Sequence, residues 1–274
     1  MGDSRHPTPR VPRNFSKKFV VHPLSFRAYN SPAMPLHKIL QGDAIEQLKT
    51  LPDASINCVL ADLPYGTTQC SWDVLVPFVP LWTQLLRVAR LDAAFVFTAC
   101  QPFTSALVMS RADLFKYSWH WDKVNGIRNH LNAKRQPMRK MEDVLVFYRK
   151  QPVYNPQMRE GGYTSRKTKP GQSAGFGKVS GIDVGRVVTE LYPVDLISIP
   201  NHDPNNVVHP TQKPVDLMRY LTRTYTNPGE IVLDPTMGSG TTGVACMQEN
   251  RHFVGIELNP DYCEIARRRI AETS

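Results

Sequence analysis

Apolar residues fall along the chain in short runs, several of them ending on an acid or a glycine. The clearest is Ile231-Val232-Leu233, which stops at Asp234. A turn, Gly238-Ser239-Gly240, follows, then a helical stretch from Thr241 to about Glu249. A second apolar run, Phe253-Val254-Gly255-Ile256, stops at Glu257. This spacing predicts strand, tight turn, helix and strand, one βαβ unit of a nucleotide-binding sheet. Glycine at the turn removes the Cβ atoms that would hold a ligand away from the backbone.

The same pattern recurs upstream. Cys58-Val59-Leu60-Ala61 predicts a buried strand that delivers Asp62, Pro64 and Tyr65 at its carboxyl end. His37-Lys38-Ile39-Leu40 predicts a short strand ending at Gly42-Asp43, with Asp43 capping a helix that presents Ile45 and Leu48 on one face. Further elements are expected as a helix over 78–90 and strands at Ala93–Thr98, Tyr117–Trp121 and Asp143–Tyr148. Residues 150–208 lose apolar periodicity, and so long a loop points to function. Val215, Met218, Leu221 and Tyr225 line one face of a helix. The last helix has Asn259 as its cap, Pro260 first, acids at its start and Arg267–Arg269 at its end, and is expected to be structural. The fold class is therefore α/β, with ligands expected at the carboxyl ends of the strands.

Composition narrows the function. The 274 residues suit one large α/β domain, and no apolar run approaches the ~18–20 residues of a membrane span. Five cysteines, at 58, 70, 100, 246 and 263, lack paired spacing, which argues against a zinc site or disulfide framework and for a reducing cytoplasm. No metal-ligand cluster is visible. The formal net charge is +9; the window 116–190 holds 15 Lys/Arg against 6 Asp/Glu, 15 − 6 = +9, so it alone matches that excess. Such a balance favours an anionic partner, nucleic acid above all. Residues 1–33 read as a flexible basic tail interrupted by prolines, without the apolar core of a secretory signal. Residues 34–274 form the main domain.

Asp62-Leu63-Pro64-Tyr65, the basic window, His209-Pro210-Thr211-Gln212-Lys213-Pro214 and the glycine loop occur in that order. Together they resemble the β-class DNA amino-methyltransferases, whose signature is Asp/Asn-Pro-Pro-Tyr. The likeness covers about residues 36–272, and Leu63 stands where the family has its first proline. It implies a Rossmann-like S-adenosylmethionine-dependent methyltransferase fold with permuted motif order, and an inserted target-recognition region at about 150–208. It implies catalysis by Asp62, Pro64 and Tyr65. It implies cofactor contacts from Asp43, Thr211, Lys213, Asp234, Gly238, Gly240, Thr241 and Glu257. Double-stranded DNA is the expected partner, in a bacterial or phage-encoded enzyme of the cytoplasm. A homodimer is allowed but not specified.

The chemistry suits the residues. A ring-bound amine is a poor nucleophile because its lone pair is delocalised. Asp62 can accept one N–H, a backbone carbonyl at Leu63 or Pro64 the other, and Tyr65 can stack on the base. Cys100 follows Ala99 rather than a proline, which rejects cytosine-C5 chemistry; a packed thiol is expected. A nicotinamide-dependent oxidoreductase would share the glycine loop and Glu257 but leaves Asp62–Tyr65 unexplained. A catalytically dead DNA-binding relative is the non-enzyme alternative, raised by Leu63. In the family, Asp as first motif residue goes mostly with adenine, which favours N6-adenine over N4-cytosine.

Overall fold

The computed structural model describes residues 37–66, 75–126, 130–164, 171–173, 177–179, 187–201 and 212–273. The tail over 1–33, Cys70 and Thr211 lie outside them. The chain first lays down β1 (His37–Gln41), α1 (Ala44–Lys49), β2 (Ile56–Asp62), α2 (Phe78–Val88), β3 (Ala89–Ala99), α3 (Phe103–Ser110), β4 (Phe115–Asp122) and β5 (Met141–Phe147). Five short strands follow: β6 (Arg159–Thr164), β7 (Gly171–Ser173), β8 (Gly177–Val179), β9 (Val187–Leu191) and β10 (Leu196–Ser198). The last part contains α4 (Val215–Tyr225), β11 (Ile231–Asp234), α5 (Thr241–Gln248), β12 (His252–Glu257) and α6 (Pro260–Ala271).

The main sheet has eight strands in the order β1-β12-β11-β2-β3-β5-β4-β10. Its pairings are parallel except those of β5, which runs antiparallel between β3 and β4. Along each central strand successive side chains enter opposite cores, as the two-residue period of a strand requires. Val59, Ala61, Phe95, Phe97 and Phe147 meet α1, α2 and α3 on one face. Cys58, Leu60, Val96, Val146 and Phe253 meet α4, α5 and α6 on the other. Burial on both faces is why these strands read as near-continuous apolar runs. Trp82 of α2 anchors the first core, with its ring 5.6 Å from Phe95 and from Phe97 and 5.3 Å from Phe147.

From β2 the chain moves through α2 to β3 on one side; from β11 it moves through α5 to β12 on the other. The adjacent carboxyl ends of β2 and β11 therefore flank the crevice where such sheets bind ligands. This architecture is the expected Rossmann-like methyltransferase fold.

Three local expectations need correction. Helix α2 ends at Val88, not 90, because Ala89 already pairs with Ile56 and starts β3. Helix α3 was not anticipated, since Phe103-Thr-Ser-Ala-Leu-Val-Met-Ser shows no clean apolar stripe. The 150–208 region is not uninterrupted loop: β6 pairs with β9, β7 with β8, and β10 joins the edge of the main sheet beside β4. Strands of three to six residues are too short to show a period.

Candidate active site

Neighbouring strand ends supply the site. Parallel pairing sets Gln41 of β1 opposite Glu257 of β12, and Asp234 of β11 opposite Gly255. The Gly42 amide donates to the Glu257 carbonyl (2.9 Å), which brings Asp43 alongside. From the loop after β11, the Thr236 hydroxyl donates to the carbonyl of Asp62 (3.1 Å), tying the glycine loop to the end of β2. Glu142 near the start of antiparallel β5 and Lys123 just past β4 reach the same end of the sheet.

The glycine loop is shaped by its acids. Asp234 is buried; one carboxylate oxygen accepts the Thr236 amide (3.1 Å) and the other the Thr242 hydroxyl (2.6 Å). Glu257 accepts the amides of Gly238 (3.0 Å) and Asn259 (2.8 Å). Gly238 has φ +53°, and a Cβ there would meet only open space. Gly240 has φ +81°, and a Cβ there would lie 2.7 Å from that of Ala266 on α6. One glycine thus keeps the backbone approachable, while the other lets a helix pack close. Arg269 of α6 donates to the carbonyl (2.6 Å) and hydroxyl (2.9 Å) of Ser239 and lies 3.4 Å from the Thr241 hydroxyl. The last helix therefore braces the loop, a task its sequence did not announce.

Asp43 caps α1, accepting the amides of Ile45 (2.9 Å) and Glu46 (3.1 Å) on a single oxygen, Oδ1. Leu258, next to Glu257, is 68% exposed, an apolar side chain at the rim that the sequence reading missed. Carboxylates beside an approachable backbone and an exposed leucine fit a nucleoside: acceptors for hydroxyls and an apolar seat for a ring.

Burial pushes the Asp234 carboxyl up to about 7, although Thr242 and Thr236 favour its ionised form. A carboxyl raised on folding contributes stability in full below its unfolded value and loses it as pH rises through about 7. Denaturant midpoints of the wild type and Asp234→Asn at pH 5 and pH 8 test this. The wild type should lose stability relative to the variant at the higher pH, by on the order of 1 kcal/mol or more. An equal gap at both pH values would mean that Asp234 does not titrate between them.

Around Asp62 the structure gathers more than the sequence suggested. Its Oδ1 accepts the hydroxyls of Tyr65 (2.7 Å) and Thr98, and its Oδ2 accepts the Lys213 ammonium at 2.6 Å. Lys213 also lies 3.6 Å from Glu142 Oε2, and Glu142 Oε1 is held by the buried Lys123. Burial pushes the Lys213 ammonium down, but Asp62 and Glu142 outweigh it and hold it above its ordinary value. Burial likewise pushes Glu142 up, and Lys213 and Lys123 outweigh it in turn. Burial, then the charges of Asp62 and Glu142, hold the Tyr65 hydroxyl well above its usual range, so it stays a donor.

Lys213, expected beside the cofactor, is thus bonded to the carboxylate of the Asp62–Tyr65 motif. Thr98 and Glu142 were not singled out by sequence, because a strand residue gives no sign of facing a partner far along the chain; Lys123 counted only as one charge of the basic window. Leu63 turns into the core with 3% exposure, so this departure from the family signature removes no polar group from the site. Tyr65 stacks on Phe103 at 5.0 Å. Cys100 is the packed thiol expected, with Arg139 3.2 Å from its sulfur.

Comparison with known proteins gives the chain its relatives. A type II methyltransferase, M.Cfr9I of Citrobacter freundii, is 24% identical over 85% of this chain and 87% of its own length. M.BglII of Bacillus subtilis, also a type II methyltransferase, is 25% identical over 86% of this chain and 69% of its own. Among solved structures, the PvuII DNA methyltransferase (cytosine-N4-specific) superposes with TM-score 0.63 at 17% identity, over 86% of this chain and 88% of that one. The M1.HpyAVI–SAM complex does so with TM-score 0.59 at 24% identity, over 85% and 98%. S-adenosylmethionine is the methyl donor of the methyltransferase family. The DNA methylase family model for N6- and N4-amino methylation matches residues 56–268, and the chain belongs to that family.

Proposed function

We propose that this chain transfers a methyl group from S-adenosylmethionine to the exocyclic N6 amine of an adenine at a specific site in double-stranded DNA. The observation that carries this reading is the joining of Asp62 to the glycine loop through Thr236, which brings an acceptor for the target amine beside a nucleoside site. The cofactor supplies a methyl group already activated on its sulfonium. Glu257 would accept from ribose hydroxyls, Asp43 would take the adenine amine through the oxygen not used for capping, and Leu258 would support the ring. Asp62 accepts an N–H of the target amine, drawing the nitrogen toward a pyramidal geometry that frees its lone pair. Thr98 and Tyr65 fix the orientation of that carboxylate. Positioning for in-line attack supplies most of the remaining catalysis.

A base within a duplex must first be turned out of the stack, at a cost of a few kcal/mol. The basic window 116–190 would hold phosphates during that step, and the 150–208 insertion would read neighbouring bases. The type II names of the relatives favour a site-specific enzyme of a restriction–modification system. The choice of adenine rests on Asp62 as first motif residue. Methylating unmodified DNA with the purified protein and identifying the nucleosides by mass spectrometry tests it, with N6-methyladenine expected. N4-methylcytosine alone would overturn the base assignment and leave amino-methylation standing; neither product would remove the reading altogether.

A further inference from the structure

We propose that in the DNA-free enzyme the Lys213 ammonium occupies the seat of the target amine, and that it steps onto Glu142 when the flipped base enters. The inference rests on the methyltransferase reading of the site. In that reading the target amine donates to Asp62 while its ring lies against Tyr65. Lys213 does both: its ammonium donates to Asp62 Oδ2 at 2.6 Å and stands 5.6 Å over the Tyr65 ring. Phe103 is stacked on that ring at 5.0 Å, which leaves one face for a base. With Oδ1 already accepting two hydroxyls, Oδ2 is the oxygen a substrate must use.

The structure also contains somewhere for the ammonium to go. Glu142 Oε2 is buried, makes no hydrogen bond among the described residues and is ion-paired with Lys213 Nζ at 3.6 Å. A buried carboxylate oxygen held only by an ion pair at that distance lacks a hydrogen bond, so one made there is a gain. Lys123 on Oε1 keeps Glu142 in place. The cluster holds two ammonium and two carboxylate groups. After the step Glu142 carries both ammonium groups, while Asp62 keeps the hydroxyls of Tyr65 and Thr98 and gains the neutral target amine. A lysine suits this role because its compact charge rides on a flexible stem with three donors. Lys213 is therefore a positioning residue: it keeps the base seat ordered and charge-balanced, then yields it.

The test is a pair of substitutions read as kcat/KM for DNA, with cofactor affinity followed by calorimetry. Glu142→Gln removes the negative charge that receives the ammonium, so Lys213 holds Asp62 longer. A fall of roughly tenfold or more is expected, with cofactor affinity unchanged. Adding Lys213→Met removes the ammonium that has to move, so the double variant is expected to regain most of that loss. If Glu142 served only to hold β5 and Lys123, the double variant would be no faster than Glu142→Gln, and the inference fails. A crystal structure of the wild type with a target duplex and S-adenosylhomocysteine decides independently of variant folding. Lys213 Nζ is expected within hydrogen-bond distance of Glu142 Oε2, and an ammonium still on Asp62 beside a seated base overturns the proposal. A wild type that neither binds the cofactor nor methylates DNA would instead remove the reading on which the inference stands.

Discussion

Asp62→Ala is expected to lower the single-turnover rate of methyl transfer by ~10³-fold or more while leaving cofactor affinity nearly intact. The carboxylate accepts from Tyr65, Thr98 and Lys213 at the carboxyl end of β2, whereas the proposed cofactor contacts come from β1, β11 and β12. Alanine also leaves the Lys213 ammonium with only Glu142 opposite it, a partly compensated buried charge that costs stability. Asp62→Asn is the companion that separates the two effects. It keeps the shape and one carbonyl acceptor but sets an amide donor against one of the present donors. Both variants should bind S-adenosylmethionine normally by calorimetry and transfer methyl groups far more slowly. Wild-type rates in a rapid-quench experiment with either variant would show that the amine is activated elsewhere.

The second large effect is expected at Glu257. Replacing it with alanine should weaken cofactor binding by ~10²-fold or more, because two hydrogen bonds to a charged acceptor contribute roughly 1.5–3 kcal/mol each. The same change orphans the Gly238 and Asn259 amides, which the carboxylate now accepts, so the loop loses its anchor as well. Glu257→Gln keeps one carbonyl acceptor and should fall between the two. At saturating cofactor the single-turnover rate should recover in both variants, since Glu257 stands two strands away from Asp62 across β11. An affinity within about threefold of wild type for Glu257→Ala would place the ribose hydroxyls on other groups.

Much of this molecule is legible in its sequence. The runs ending at Asp62, Asp234 and Glu257 are strands that end there, and Asp43 and Asn259 cap the helices they were expected to cap. Each depends on a relation within a few residues: a strand's period of two, a side-chain oxygen reaching an amide two or three positions on, a glycine where φ is positive. Such relations are written locally, and so is the order of motifs that carried the family resemblance.

Relations across the sheet were not legible. Lys213 meets Asp62 across 151 positions, and Thr236 reaches the Asp62 carbonyl across 174. Glu142 lies just before the strand expected from Asp143 and carried no signal of its own. Only the insertion of antiparallel β5 between β3 and β4 carries it to the Asp62 end of the sheet, between two lysines from different loops. Arg269 looked like helix-end charge until α6 packed on α5 and set its guanidinium on Ser239. The residues and their local geometry follow from the sequence alone. Which oxygen of Asp62 each donor takes, and which oxygen of Glu142 is left waiting, follows from strand order, because long side chains find their partners only after the sheet has chosen its neighbours.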